Sequence, residues 1–140
     1  MYQLIALLIS CLRHGLADQL IFPNGSSSYY ERVLKLDPKA KDFYRYFEAP
    51  GVAHCMGGPG AFPATVFDEL VAWVEKGNAP DQLEASTAPV DEAEAVRYRP
   101  LCLYPQVAAY QGGHPNLASS FKCADRFGKK KAPLPDHSEL

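Results

Sequence analysis

The stretch MYQLIALLISCLRHGLADQLIFPN (residues 1–24) decides the fold, because it contains an apolar run that is followed by a glycine-containing loop. Residues 1–10 are apolar almost throughout, and they are too few to cross a bilayer, which takes about 20 residues. Such a run predicts a buried strand, with residues 13–24 as the loop that follows it. A signal peptide is the alternative, but no Lys or Arg precedes the run, and cleavage after the nearest small residues would remove the surroundings of Asp18.

Three amphipathic helices are predicted downstream of this loop. Residues 26–28 are serines that can cap the first, and Asp37-Pro38 has the form of an N-cap followed by proline for the second. The third begins at Thr65 and ends at Gly77. The apolar residues at helical spacing are Tyr30, Val33 and Leu34, then Ala40, Phe43, Tyr44 and Phe47, then Phe67, Leu70, Val71 and Val74, with Trp73 beside the last group.

The remaining segments indicate one modest domain. Residues 81–96 are acidic and alanine-rich and predict an exposed connection, whereas 101–110 and 119–123 predict short extended segments. We therefore expect a domain over residues 1–124 and a polar, flexible tail over 125–140. The composition, 47% hydrophobic and 21% charged with a net charge of −2, is that of an ordinary globular protein. It argues against a nucleic-acid partner, which a clustered basic face would indicate.

Asp18 and His54 are the residues most able to perform chemistry. Asp18 lies in the first loop, and His54 lies in the glycine-rich segment 51–63, which cannot form a regular helix or strand easily. In α/β-hydrolases the catalytic triad follows the order serine, acid, histidine, with the acid after a late strand. The carboxylate holds one imidazole nitrogen as N–H, so that the other nitrogen is free to accept a proton. Spacing alone does not separate this pair from ordinary loop residues.

Four blocks of sequence are similar to the C-terminal part of the fungal tannase and feruloyl esterase family. They are HGLADQLIFPNGSSSYYERV (residues 14–33), GVAHCMGGPGAF (51–62), LVAWVEKGNAPD (70–81) and RPLCLYPQVAAYQG (99–112). The blocks occur in the family's order. The resemblance implies an α/β fold, that of an α/β-hydrolase, and a secreted serine esterase. It also implies hydrolysis of feruloyl, caffeoyl, galloyl or related aromatic esters as small-molecule substrates.

The resemblance also assigns roles to individual residues. Asp18 matches the family's catalytic acid, which orients the histidine, and His54 matches its general base. Cys55 matches a cysteine that the family bonds to the residue before its nucleophilic serine. Cys102 and Cys123 resemble a second family disulfide, which would close a loop of about 20 residues and could contribute about 3 kcal/mol.

The nucleophile of the family is absent from the sequence. Neither Gly-x-Ser-x-Gly nor Gly-Cys-Ser occurs, so no nucleophile is assigned and the family partner of Cys55 is missing. Ser26, Ser27 and Ser28 suit a helix start rather than the sharp turn that exposes a nucleophile. The oxyanion hole, the lid and the calcium site that the family carries in its lid are expected in sequence N-terminal to this chain.

We therefore predict a C-terminal fragment of an α/β-hydrolase, with one or two strands, about three amphipathic helices and a disulfide-closed C-terminal segment. The isolated chain should be inactive. The alternative is a truncated, non-catalytic paralogue that serves as a binding or accessory protein, with a link to aromatic secondary metabolism.

The other cysteines and a glycosylation sequon are less informative. Cys11 is either an inert buried thiol or a replacement partner for Cys55. The sequon at Asn24 is compatible with export, as is an even number of cysteines. No signal peptide is convincing, so secretion is expected from the resemblance alone.

The other histidines have modest expected roles. His14 precedes Asp18 by four residues and could orient its loop, while His114 and His137 are expected on the surface. No set of His, Cys and carboxylate residues has metal-ligand spacing, so neither a metal nor a cofactor is predicted. No membrane partner is predicted.

Overall fold

The computed structural model describes residues 9–89 and 93–125 of the chain. These residues form six strands in three two-stranded sheets, together with two α-helices and two short 3-10 helices. No helix of the described residues is long and apolar enough to span a membrane. The predicted strand at residues 1–10 lies almost wholly outside the described residues, as does most of the predicted tail. The division into a 1–124 domain and a tail remains a prediction.

A parallel β-α-β unit forms the first half. Strand β1 (Ser10–Gly15) leads through helix α1 (Pro23–Leu36) and a 3-10 helix (Pro38–Asp42) to strand β2 (Tyr44–Ala49). The two strands pair in parallel over their whole length, from Ser10 opposite Tyr44 to Gly15 opposite Ala49. Parallel neighbours need a crossover connection, and α1 supplies it.

Aromatic packing holds α1 against this sheet. Tyr30 is buried, and its ring meets that of Tyr44 edge-on at 5.1 Å and that of Tyr46 at 5.5 Å. Its hydroxyl donates to the Tyr44 carbonyl at 3.1 Å, so the buried polar tip of the ring is satisfied. Burial raises the pKa of Tyr30, which keeps this donor protonated.

The second half is a helix followed by two antiparallel pairs. Helix α2 (Val66–Lys76) is followed by β3 (Gln82–Ser86), which pairs with β4 (Tyr98–Cys102). Strand β5 (Gln106–Tyr110) then pairs with β6 (Phe121–Asp125), which a 3-10 helix (Ala118–Ser120) precedes.

One core connects the two halves. Its buried residues come from β2, β3, β4 and the loop after β2; they are Phe47, Ala49, Val52, Ala61, Leu83, Ala85 and Leu101. A disulfide between Cys102 and Cys123 joins β4 to β6. This is the pairing that the family resemblance implies.

The predicted second helix is wrong, because residues 44–49 form strand β2. Tyr46 and Phe47 are adjacent and both buried, as expected of a strand covered on both faces. Their spacing from Phe43 fits a helix by coincidence. Asp37 caps only the short 3-10 helix, where its side chain accepts from the Lys39 N–H at 2.9 Å.

The first and third helices exist, but their details differ from the prediction. Helix α1 begins at Pro23 with Phe22 as N-cap, so the three serines lie inside it and cap nothing. Helix α2 ends at Gly77 as predicted, with the glycine in the left-handed conformation at φ 73°. On α2 the buried residue is Trp73, whereas Phe67 and Val74 are 74% and 59% exposed. The face of α2 that packs on the fold is therefore centred nearer to Trp73 than the predicted apolar stripe.

The predicted strand count is also wrong. The described residues hold six strands rather than one or two, and two α-helices rather than three. Segment 81–96, expected to be an exposed connection, contains β3 with a fully buried Leu83. Strand β1 occupies residues 10–15 and so includes residues 13–15 of the predicted loop. The extended segments near 101–110 and 119–123 correspond to β4, β5 and β6.

Candidate active site

The loop that carries Asp18 leaves β1 at the carboxyl edge of the parallel sheet. Its backbone is tied to the segment after β2, since Leu16 N–H donates to the Ala49 carbonyl and Ala17 N–H to the Val52 carbonyl, each at 3.0 Å. Gly15 permits this approach, because a Cβ at that position would lie 2.2 Å from the Val52 oxygen. The carboxyl ends of adjacent parallel strands are where open α/β sheets place their functional groups.

Asp18 is held as a carboxylate. Its Oδ1 accepts from the backbone N–H groups of Leu20 and Ile21, both at 2.8 Å, and only 6% of its side chain is exposed. Burial acts to raise the pKa of Asp18, but the N–H groups of Ile21 and Leu20 and the ring of His54 outweigh it. The pKa of this carboxyl therefore lies well below its ordinary value.

The loop that carries His54 follows β2 and is built on close backbone approaches. A Cβ on Gly60 would lie 2.2 Å from the Pro50 oxygen, and one on Gly58 would lie 2.3 Å from the Gly51 oxygen. A turn closes at the histidine itself, where Met56 N–H donates to the His54 carbonyl at 2.7 Å. The prediction of an irregular, glycine-dependent loop over residues 51–63 is confirmed in its main part.

Two neighbours that the sequence did not single out support this loop. Arg13, on β1, donates to the Cys55 carbonyl at 2.5 Å while its guanidinium lies 4.2 Å from the centre of the Phe62 ring. Gln19 accepts from the His54 backbone N–H at 3.3 Å. For either residue the sequence contains only a local signal: an arginine at the start of the predicted loop and a polar residue directly after Asp18.

The structure brings Asp18 and His54 together. Nδ1 of His54 lies 3.0 Å from Oδ2 and 3.2 Å from Oδ1 of Asp18. Because an ionised carboxylate only accepts hydrogen bonds, Nδ1 carries the proton and Nε2 of the neutral ring keeps its lone pair. About a third of the His54 side chain is exposed, and no partner for Nε2 is found among the described residues. The arrangement suits a general base.

A second histidine contacts the same carboxylate. Nε2 of His14 lies 3.2 Å from Oδ2 of Asp18, and its Nδ1 lies 2.7 Å from the Ser26 hydroxyl. Ser26 thus contacts His14, and Ser27 donates to the Asn24 carbonyl at 3.2 Å. Both serines lie in helix α1 rather than at a nucleophile turn.

The unpaired cysteines lie in different environments. Cys55 is exposed, with a left-handed φ of 61°, and Cys11 is half-buried. Burial raises the pKa of Cys11 to about 11, and the Glu69 carboxylate adds to the shift. The two are not bonded to each other, so the interpretation of Cys11 as a replacement partner for Cys55 is wrong and an inert thiol fits.

The other candidate residues lie apart from this pair. Asn24 is exposed in the first turn of α1, and His114 is exposed between β5 and β6. His137 lies outside the described residues. Within residues 9–89 and 93–125, no group of three or more His, Cys, Asp or Glu residues is placed to hold a metal ion.

Two cavities lie elsewhere in the fold. One of about 320 Å³ and one of about 570 Å³ share Arg99, Pro100 and Phe121 in their walls. Neither is lined by Asp18 or His54. The Asp-His pair holds groups that can transfer a proton, whereas in the cavity walls the Arg99 guanidinium is stacked on Phe121 at 4.0 Å.

Comparisons with known proteins identify relatives over most of the chain. The model of the family described as tannase and feruloyl esterase matches residues 8–124. The mono(2-hydroxyethyl) terephthalate hydrolase of Piscinibacter sakaiensis is 45% identical over 115 residues, which are 81% of this chain and 19% of that protein. A probable feruloyl esterase of Arthroderma benhamiae is 43% identical over 120 residues, 82% of this chain and 22% of that protein.

Solved structures agree with the sequence relatives. An esterase from Aspergillus oryzae superimposes with a TM-score of 0.73 at 32% identity, covering 81% of this chain and 27% of that one. Feruloyl esterase B from the same species gives 0.71 at 28% identity, covering 81% and 26%. The chain spans about a fifth of the length of the sequence relatives that it matches.

Proposed function

The chain belongs to the tannase and feruloyl esterase family, and we propose that it supplies the acid and the general base of a serine-type carboxylic ester hydrolase. The observation that carries the proposal is the pairing of His54 with Asp18. Nδ1 is anchored at 3.0 Å on an ionised carboxylate, and Nε2 belongs to a ring that is about a third exposed and has no hydrogen-bond partner for that nitrogen among the described residues. This is the orientation that a base needs to activate a hydroxyl group.

In the proposed reaction, Nε2 of His54 accepts the proton of a serine hydroxyl as the serine oxygen attacks the ester carbonyl. The Asp18 carboxylate stabilises the imidazolium, which then gives its proton to the departing alcohol. A water molecule, deprotonated by the same nitrogen, then attacks the acyl-enzyme, and the nitrogen returns that proton to the serine oxygen as the carboxylic acid leaves. The serine belongs to a part of the enzyme outside these 140 residues, because the sequence offers no nucleophile turn.

Esters of aromatic acids are the proposed substrates. Relatives are described as feruloyl esterases, as a tannin acyl hydrolase and as a mono(2-hydroxyethyl) terephthalate hydrolase. Exposed apolar side chains adjoin both members of the pair; they are Leu20, Ile21 and Phe22 after Asp18, and Met56 after His54. Such surfaces suit an aromatic acyl group. The disulfide between Cys102 and Cys123 supports secretion, since disulfides persist in oxidising compartments.

A segment exchange tests the proposal. The 115 residues of the Piscinibacter sakaiensis hydrolase that match this chain are replaced by the corresponding residues of this chain, and hydrolysis of mono(2-hydroxyethyl) terephthalate is measured. We expect turnover that falls about 10⁴-fold in Asp18→Asn and about 10⁶-fold in His54→Ala, as in other serine hydrolases.

His114→Ala is the matched control, because this exposed histidine lies outside the pair and its removal should leave turnover unchanged. Circular dichroism of each variant reports whether the exchanged protein folds. Equal turnover with and without His54 would refute the assigned role.

The second candidate is a non-catalytic binding or accessory protein, which the missing nucleophile turn favours. It predicts saturable binding of methyl ferulate to the chain by calorimetry, without turnover. A folded but inactive exchange protein together with such binding would support it. A flat titration would count against it.

A further inference from the structure

The carboxylate of Asp18 lies between two imidazole rings, of which the proposed mechanism uses only one. His54 contacts Oδ2 through Nδ1 at 3.0 Å, and His14 contacts the same oxygen through Nε2 at 3.2 Å. The His14 side chain is only 10% exposed. A nearly buried histidine beside the acid, with both ring nitrogens in contact with groups of the protein, has no role in proton transfer to substrate.

The hydrogen-bond partners of His14 determine where its proton lies. Both groups near Nε2 are acceptors, namely Oδ2 of Asp18 and the Ile21 carbonyl at 3.3 Å. Nε2 must therefore be the protonated nitrogen. Nδ1 faces the hydroxyl of Ser26 at 2.7 Å, and a hydroxyl can donate to it. Ser26, His14, Asp18 and His54 thus form a continuous series of polar contacts from helix α1 to the exposed imidazole, in which His14 Nε2 lies 3.2 Å from Oδ2 of Asp18 and its hydrogen bond is to the Ile21 carbonyl.

The two oxygens of Asp18 are held in different ways. Oδ1 is fixed by two backbone N–H groups, from Leu20 and Ile21, which follow from the geometry of the loop. Oδ2, the oxygen nearer to His54, accepts the hydrogen bond from Nδ1 of His54 and lies 3.2 Å from Nε2 of His14. Without His14, the position of Oδ2 would depend on His54 alone. The carboxylate could then tilt, and the hydrogen bond from Nδ1–H of His54, which Oδ1 also approaches at 3.2 Å, would select the tautomer less strongly.

We propose that His14 is a positioning residue, anchored by Ser26, that fixes Oδ2 of Asp18 and thereby holds His54 as the Nδ1–H tautomer with Nε2 free. The consequence for catalysis rests on the proposed function. The structural part of the proposal does not, because the tautomer of His54 is a property of the chain without substrate.

Nitrogen-15 NMR of the full-length chain at pH 8 tests this, since the sequence has only four histidines and imidazole nitrogen shifts distinguish the tautomers. We expect mainly the Nδ1–H form of His54 in the unaltered chain. In His14→Ala the ratio of the Nδ1–H to the Nε2–H form should fall about fivefold, the size expected when one polar contact to the carboxylate is lost.

Conservative variants separate positioning from general packing. His14→Gln places an amide N–H near the position of Nε2 and should restore most of the ratio, whereas His14→Asn is too short and should not. His114→Ala, at an exposed histidine, should have no effect. An unchanged ratio in folded His14→Ala would overturn the proposal.

If His14→Ala does not fold, Ser26→Ala decides, because it removes the anchor and leaves both rings in place. The ratio must fall there as well, and no change would overturn the proposal. The outcome is independent of the esterase test. If the exchange protein is active but the tautomer ratio is unchanged in His14→Ala, only the role of His14 is refuted. If the exchange protein is inactive but the ratio falls as expected, only the proposed function is refuted.

Discussion

At the residue scale, the ionised carboxylate of Asp18 determines the state of the candidate site. Two backbone N–H groups and two imidazole rings surround it, and the N–H groups of Ile21 and Leu20 and the ring of His54 favour the charged form. A neutral carboxyl would carry an O–H donor of its own, and it would no longer select the Nδ1–H form of His54. The same contacts couple the site to the stability of the fold.

This coupling predicts a pH-dependent effect of Asp18→Asn. The pKa of Asp18 is lower in the folded chain than the value of about 3.9 for an unfolded aspartate. Its stabilising contribution is therefore complete above that value and decreases as the pH falls toward the folded pKa. We expect Asp18→Asn to lower Tm more at pH 7 than at pH 3, in thermal melts. A similar loss at both pH values would contradict the assignment, and Asp42→Asn, at an exposed carboxyl, serves as the control.

Gly15 predicts a second residue-level effect. Alanine would place its Cβ 2.2 Å from the Val52 oxygen and 2.8 Å from the Ala53 oxygen, so the two site loops would have to separate. We expect Gly15→Ala to lower the free energy of unfolding by about 1–3 kcal/mol, as overpacking usually does. Gly25→Ala is the matched control, because nothing lies within 4 Å of its Cβ and helix α1 should gain up to about 1 kcal/mol. Urea unfolding measures both, and equal effects would refute the close approach.

At the element scale, helix α2 is attached to the fold through Trp73. This side chain is 5% exposed, and the Arg45 guanidinium of β2 lies 5.6 Å from the centre of its ring. We expect Trp73→Ala to reduce the free energy of unfolding by about 3–5 kcal/mol. Its neighbour Val74 is 59% exposed, so Val74→Ala should change it by no more than about 0.5 kcal/mol. The reverse order in chemical denaturation would show that α2 packs on its other face.

The elements that could be predicted from sequence are those whose boundaries have a local cause. Gly77 ends α2 because glycine adopts a positive φ at low cost, and the glycines of residues 51–63 exclude regular structure wherever they fall. Strand β2 could not be predicted in this way. Its adjacent buried residues Tyr46 and Phe47 are explained only by tertiary packing, because α1 covers Tyr46 on one face and the core residues of β3 and β4 cover Phe47 on the other.

In the candidate site as well, the sequence identified residues but not the contacts between them. The order of Asp18 and His54 was visible, but only the family resemblance distinguished them from other loop residues. Their contact depends on the parallel pairing of β1 with β2, which brings two loops 36 positions apart to one edge. The contact of His14 with Asp18 could be partly predicted, since His14 precedes Asp18 by four positions. The contact of Ser26 with His14 could not. The place of Ser26 inside α1 follows from the start of the helix at Pro23.

At the scale of the whole molecule, one core unites the β-α-β unit with the antiparallel pairs, and the surface beside the site remains apolar. Residues of β2, β3 and β4 share the core, and the disulfide fixes β6 to β4. By contrast, Phe22 is 85% exposed and Met56 is 70% exposed next to the Asp-His pair. Where exposed apolar side chains cluster, they usually meet another surface or a ligand. In the proposed enzyme that surface includes the part that holds the serine and the substrate.

The 140 residues by themselves have an oriented base but no recognisable nucleophile. An oriented base accelerates ester hydrolysis mainly by activating a nucleophile, and the loss of the triad serine costs about 10⁶-fold in a serine protease. We expect the purified chain to hydrolyse methyl ferulate and methyl gallate no faster than buffer, as followed by release of the free acid. A near-inactive chain with an intact Asp-His hydrogen bond would show that the geometry of the base can form without its nucleophile. Turnover that His54→Ala abolishes would instead reveal a nucleophile within the chain, and the serines of α1 would then be the first to replace.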